Sequence, residues 1–228
     1  MRLFAAVLPP PEAVEELARA VHRLRGLRGA DGLRWTERDG WHFTLAFMGE
    51  VEDELLPELT ERLERAARRT EPFPLRIHGG GHFDGRFLWA GAAGGIGELR
   101  RLAERADAAA RRAGVPMEEH RHYQAHLTLA RGRGGRSRRG GRGSRGGRTD
   151  MTDSAVTDSA VAGGADPARR ADVDLRLYAE ALGGFEGTPW EVAELVLVRS
   201  RLPESGVPGE QPRYEAVARC PLGGAASG

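Results

Sequence analysis

Apolar residues fall along the chain in two rhythms, a period of two and a period of about 3.6, and the switch between them recurs in two comparable halves. Residues 3–8 form a short apolar run that predicts a strand, and 11–25 then carry Val14, Leu17, Ala18, Val21 and Leu24 at helical spacing. Beyond a glycine-rich turn at 26–32, Leu33-Arg34-Trp35 predicts a short strand leading into an alternating one at 41–48, which Gly49 ends. Leu55, Leu56, Leu59 and Leu63 share one stripe of a helix predicted over 53–69, with charges opposite. The second half repeats the theme. Its strand at 73–78 is expected to break at Gly79-Gly80-Gly81 and resume over 86–92 as a hairpin partner. A helix over 97–113 closes at Gly114, a strand covers 122–131, and a helix over 172–182 precedes strands at 190–202 and 214–220.

One segment fits neither rhythm. From Gly132 to Thr149, seven arginines lie among glycines and serines with no acid and no bulky apolar side chain, and a Thr/Asp/Ser/Ala/Gly stretch follows. Such a composition buries too little apolar surface to offset the entropy of ordering, so 132–170 is expected to be a disordered Arg/Gly-rich insertion, and 223–228 a flexible tail. Residues 1–131 and 171–222 then form a single bilobal domain. Taking those seven arginines from a formal net charge of +1 leaves −6 for the remainder, so the basic character is concentrated in the insertion. A basic arm gains RNA affinity by counterion release. A long surface loop also costs little stability, so the segment equally reads as a passive expansion.

Composition narrows the chemistry. No apolar stretch is long enough to span a bilayer, and the lone cysteine, Cys220, excludes an intrachain disulfide, which suggests a reducing, cytoplasmic home. The opening apolar run meets Pro9-Pro10-Pro11 and an acidic helix, unlike a secretion signal. All 34 basic residues are arginine. Without lysine there is no phosphate-binding loop ending Gly-Lys-Ser/Thr, no Schiff base and no lysine–nucleotide adduct.

The chemistry concentrates in His42-Phe43-Thr44-Leu45 and His126-Leu127-Thr128-Leu129, each followed by alanine, in a chain with seven histidines. Alternation sends His and Thr to one face and Phe43, Leu45 and Phe47, or Leu127 and Leu129, to the other. A single His-x-Thr is an ordinary structural pair. Duplicated core strands, however, have little reason to repeat a titratable residue, so two matching copies point to paired acid–base work on a phosphate ester. His120, His122 and His126 also invite a zinc reading. That reading leaves His42 unexplained and finds no cysteine pair or carboxylate at ligand spacing, so no metal or other cofactor is expected.

The chain resembles the 2H phosphoesterase superfamily, specifically the RNA 2′,3′-cyclic phosphodiesterases once described as 2′-5′ RNA ligases. The resemblance rests on Arg2-Leu3-Phe4, Arg34-Trp35, the first motif with Phe47-Met48-Gly49-Glu50-Val51 after it, and Gly81-His82-Phe83 leading to Leu88-Trp89-Ala90-Gly91. It continues through the second motif to Ala130-Arg131 and a closing strand with Leu197, Ser200 and Tyr214. Ala125 departs from the proline usual before the second histidine, and the insertion directly follows Arg131.

The resemblance implies an α+β fold of two pseudo-symmetric antiparallel sheets backed by helices, with the motifs facing a central cleft. It implies metal-independent hydrolysis of a 2′,3′-cyclic phosphate at an RNA end to a 2′-phosphate, with His42 as proton donor and His126 as proton acceptor. Thr44 and Thr128 would bind the phosphate oxygens, and Arg131 would help clamp them, although alternation sets Arg131 on the face opposite His126. Phe47 and Tyr123 are candidates for stacking on a base, as are Trp35 and Trp41. The expected partners are RNA with 2′,3′-cyclic phosphate ends or small cyclic nucleotides, bound by a monomer without a membrane. Reversible 2′-5′ end joining and a catalytically idle RNA-binding module using the arginine-rich arm are the alternatives.

Overall fold

Nine strands and four helices form among the described residues, 1–118, 123–132, 173–203 and 210–224, of a computed structural model. In chain order they are β1 (Arg2–Val7), α1 (Pro11–Arg25), β2 (Leu33–Trp35), β3 (Phe43–Glu50), α2 (Leu56–Arg68), β4 (Phe73–Phe83) and β5 (Phe87–Gly94). Then come α3 (Ile96–Arg112), β6 (Leu127–Gly132), α4 (Leu175–Leu182), β7 (Trp190–Val192), β8 (Glu194–Arg201) and β9 (Arg213–Pro221). Residues 133–170 of the expected insertion lie outside the described residues, as do 225–228.

Two antiparallel sheets result, ordered β3-β1-β8-β9 and β2-β6-β5-β4-β7. The helices are exchanged between them. Although α1 follows β1, it packs with α4 and β4 on the second sheet, whereas α3 follows β5 yet packs with α2 and β3 on the first. The amphipathic stripes explain the cover: Leu17, Val21 and Leu24 of α1, Leu59 and Leu63 of α2, and Leu99 and Leu102 of α3 are all buried. Pro11 suits the first turn of α1, where its missing N–H costs nothing, and the Asp174 carboxylate caps α4 by accepting from the Arg176 N–H at 3.0 Å.

The structure redraws several of the expected elements. The glycine run does not break β4, because Gly79 (φ 61°) forms a bulge and the strand continues to Phe83. A Cβ on Gly80 would lie 2.8 Å from the Leu182 Cβ, and one on Gly81 2.3 Å from Trp89 Cζ2. These glycines admit α4 and an indole onto the strand. The apolar run at 190–202 is two strands, with Val192 paired to Phe73 in the second sheet and Glu194 to Pro221 in the first. Leu33-Arg34-Trp35 is a strand, but it pairs with β6 in the second sheet rather than leading β3 within the first.

Candidate active site

Each histidine stands one residue before its strand, His42 ahead of β3 and His126 ahead of β6. Phe43 and Leu127 are fully buried and anchor the strand starts, while Thr44 and Thr128 are half-buried on the other face. The second strand therefore starts at Leu127, later than the pattern of 122–131 suggested.

A matching irregularity follows in both strands. Opposite β3, Ala6 pairs with Thr44 and Ala5 with Ala46, so Leu45 is an extra residue; opposite β6, Trp89 pairs with Thr128 and Leu88 with Ala130, so Leu129 is extra. Strict alternation fails at the same place in each copy. Phe47 pairs with Phe4, which lies two residues from Ala6 on β1, so Phe47 shares the face of Thr44 rather than that of Phe43 and Leu45. By the same register Arg131 pairs with Phe87, two residues from Trp89, and shares the face of Thr128. The bulge corrects both placements.

The imidazoles are held alike. His126 Nδ1 is 2.9 Å from the Gln124 carbonyl and His42 hydrogen-bonds to the Gly40 carbonyl, each two residues upstream. With Nδ1–H donating to a carbonyl, Nε2 of His126 is left for the cleft. Phe4 stacks on His42 at 4.6 Å, the Tyr214 ring meets its edge at 5.3 Å, and Phe83 stands edge-on to His126 at 5.0 Å. A Cβ at Gly40 would lie 2.7 Å from Thr36 Cγ2 and 3.3 Å from the Tyr214 ring, so glycine permits that close wall.

Burial first, and then the charge on His126, lower the His42 pKa to about 4, with the Gly40 carbonyl partly opposing both. That His126 acts on His42 brings the two rings, carried by different sheets, within electrostatic reach. Among the described residues no three His, Cys, Asp or Glu side chains gather as a metal site. His120 and His122 of the zinc reading lie outside those residues.

The other expected residues divide. The Phe47 ring packs in the apolar cluster of Phe4, Ala6, Val196 and Val198 and is covered by the Arg2 guanidinium, 5.1 Å from its centroid. Tyr123 is not an open platform: its ring packs on the core and burial raises its pKa. Trp41 is buried, and the Trp35 ring, beneath Arg25, donates to the Ala30 carbonyl. Pattern reading gave no site role to Phe4, Phe83 or Tyr214. Phe4 carried a signal, since Leu3, Ala5 and Val7 fill the core and leave one large aromatic on the opposite face.

The Gly81 contact supplies a test of this support. Phe83 leans on Trp89 at 5.3 Å and borders His126, so Gly81→Ala, which must move the indole, should destabilise the fold by about 1–3 kcal/mol and lower kcat. Wild-type melting and turnover in that variant would show that the glycine holds nothing in place.

The family described as LigT like Phosphoesterase matches residues 7–89, which contain the first motif. An RNA 2′,3′-cyclic phosphodiesterase of Archaeoglobus fulgidus is 33% identical over 135 residues, covering 58% of this chain and 72% of that protein. The chain belongs to the LigT-like phosphoesterases, within the 2H superfamily. An RNA 2′,3′-cyclic phosphodiesterase of Thermus thermophilus is 35% identical over 146 residues, covering 58% of this chain and 68% of the relative. For the similarly named Aeropyrum pernix protein the values are 35% over 109 residues, 46% of this chain and 60% of the relative's length. A solved structure from Thermus thermophilus is similar at TM-score 0.63 with 26% identity, covering 97% of this chain and 98% of that one. Apo Escherichia coli LigT shares the fold at TM-score 0.62 and 22% identity, with 97% of each chain covered. The bilobal LigT-like architecture is thus the one expected from the sequence.

Proposed function

We propose that the protein is a hydrolase that opens RNA 2′,3′-cyclic phosphate ends to 2′-phosphates, with His42 and His126 as a metal-independent acid–base pair. The observation that carries this reading is the convergence of two imidazoles from separate sheets, each pinned by the carbonyl two residues before it and coupled through charge. Water attacks phosphorus as one histidine removes its proton. The P–O3′ bond breaks, the other histidine protonates O3′, and the phosphate stays on O2′. The Thr44 and Thr128 hydroxyls donate to the non-bridging oxygens, where charge accumulates.

The family resemblance makes His42 the acid. With its pKa near 4 in the open cleft, His42 is neutral at pH 7 and fills that role only by taking up a proton as the phosphate anion arrives. The same shift favours the reverse assignment, in which neutral His42 serves as the base. Proton-detected NMR of the imidazoles with a bound, non-hydrolysable cyclic phosphate distinguishes the two: a protonated His42 supports the acid role, and a neutral one the base role.

Purified protein incubated with adenosine 2′,3′-cyclic phosphate is expected to yield the 2′-monophosphate at the same rate after exhaustive chelation. A 3′-monophosphate product would contradict the leaving group. Loss of turnover on chelation, restored by zinc, would replace the paired-histidine mechanism with a metal site including His126.

A further inference from the structure

We propose that Trp89 carries the base of the terminal nucleotide and thereby decides which ester oxygen leaves phosphorus. This rests on the cyclic-phosphate reading above. A 2′,3′-cyclic phosphate offers two nearly equivalent ester oxygens to two nearly equivalent histidine–threonine pairs, so the motifs by themselves give no reason for a single product. Something beside them must break the symmetry.

The register shows where the lobes differ. Directly opposite Thr44 lies Ala6, with Val196 beyond it on β8, whereas directly opposite Thr128 lies Trp89, with Gly81 beyond it on β4. Ala6 and Val196 are fully buried in the cluster with Phe4 and Val198 and leave no platform beside the first threonine. The second threonine has an indole for its neighbour, at about 5 Å between Cβ atoms. A Cβ on Gly81 would strike that ring, and one on Gly91 would lie 3.4 Å from Trp89 Cζ3, so the indole rests along the sheet over two glycines. Trp89 is half-buried, and the ring face turned away from those glycines is the one that solvent reaches. Phe83, inclined at 32° and 5.3 Å away, borders the platform and meets His126 edge-on. Trp89 Nε1–H is buried with no acceptor among the described residues, a cost that phenylalanine would avoid in a purely structural role. What the indole adds is flat area for a planar partner.

Ribose stereochemistry links that platform to the product. C1′, which carries the base, is bonded to C2′ and not to C3′, so a base on Trp89 holds O2′ toward the second sheet and turns O3′ toward the first, where His42 stands. Water activated by His126 then attacks phosphorus opposite O3′, the P–O3′ bond breaks, His42 protonates O3′, and the phosphate stays on O2′. A substrate bound the other way round would break P–O2′ by the same proton transfers and leave a 3′-phosphate, but its base would lie over Ala6 and lose the stack.

Product identity is therefore the readout, with adenosine 2′,3′-cyclic phosphate compared with methyl riboside 2′,3′-cyclic phosphate, which has no base. Wild type is expected to give the 2′-monophosphate from the adenosine substrate and a mixture of 2′- and 3′-monophosphates from the methyl riboside. Trp89→Ala should raise KM for the adenosine substrate about tenfold, the size of one base–aromatic stack, and release a comparable share of 3′-monophosphate. Trp89→Phe should restore most of both. The 2′-product alone, from the methyl riboside with wild type or from adenosine with a folded Trp89→Ala variant, would overturn the proposal. So would equal losses on the two substrates with the product unchanged, since Trp89 would then only prop Phe83. Failure of wild type to open either substrate would instead sink the phosphodiesterase reading itself.

Discussion

His42→Ala and His126→Ala are each expected to lose about 100-fold or more in kcat/KM on a cyclic nucleotide, with the double variant losing little more than either alone. Non-additivity is expected because one proton transfer without its counterpart leaves ring opening uncompensated at the water or at O3′. The folds should persist. His126 stands outside its strand and His42 contributes ring contacts with Phe4 and Tyr214 rather than a filled core position. Circular dichroism and melting, measured beside turnover, separate chemistry from folding. Near-wild-type rates in either folded variant would reject the pair, and strictly multiplicative losses would show two independent contributions.

Acid should cost this protein stability through His42 alone by roughly 3 kcal/mol. Its pKa falls from 6.5 to about 4 on folding, chiefly by burial and then by the charge on His126. Above the unfolded value both states are neutral there and nothing is lost. As pH falls below 6.5 the unfolded chain takes up a proton that the folded chain refuses, so stability declines until the folded ring titrates near pH 4. Urea unfolding between pH 7 and 4.5 should show a steeper decline in wild type than in His42→Gln. Parallel declines would remove the shifted histidine from the account. In kinetics the same shift carries the acid-side limb of a bell-shaped kcat/KM profile to about 4, as a macroscopic property of the coupled pair.

Much of this was legible in the residues. The repeated motifs carried the resemblance to the family, and the helical stripes that include Leu17 and Leu59 marked faces that became buried. What the pattern hid were interruptions of its own periods. The extra residues at Leu45 and Leu129 lie inside apolar stretches, where a bulge changes no residue type yet returns Phe47 and Arg131 to the faces of Thr44 and Thr128. Ala193, an exposed residue, likewise separates two strands without a turn residue, because the chain passes from one sheet to the other there without reversing. Two of the three glycines read as punctuation, Gly80 and Gly81, proved to be room for Leu182 and Trp89, a need set by residues distant in sequence.

The exchange of α1 and α3 between sheets bears on how such a chain could arise and how it must fold. A fragment ending near residue 70 would hold α1 with no second sheet to cover, and β1 and β3 without α3. Neither half is a finished unit, so an ancestral single-motif polypeptide would have needed a second copy to lend it a helix. Gene fusion would then preserve the borrowed cover within one chain. For the present protein the same exchange makes long-range contacts a condition of any stable core, which predicts slow, single-step refolding rather than lobe-by-lobe assembly.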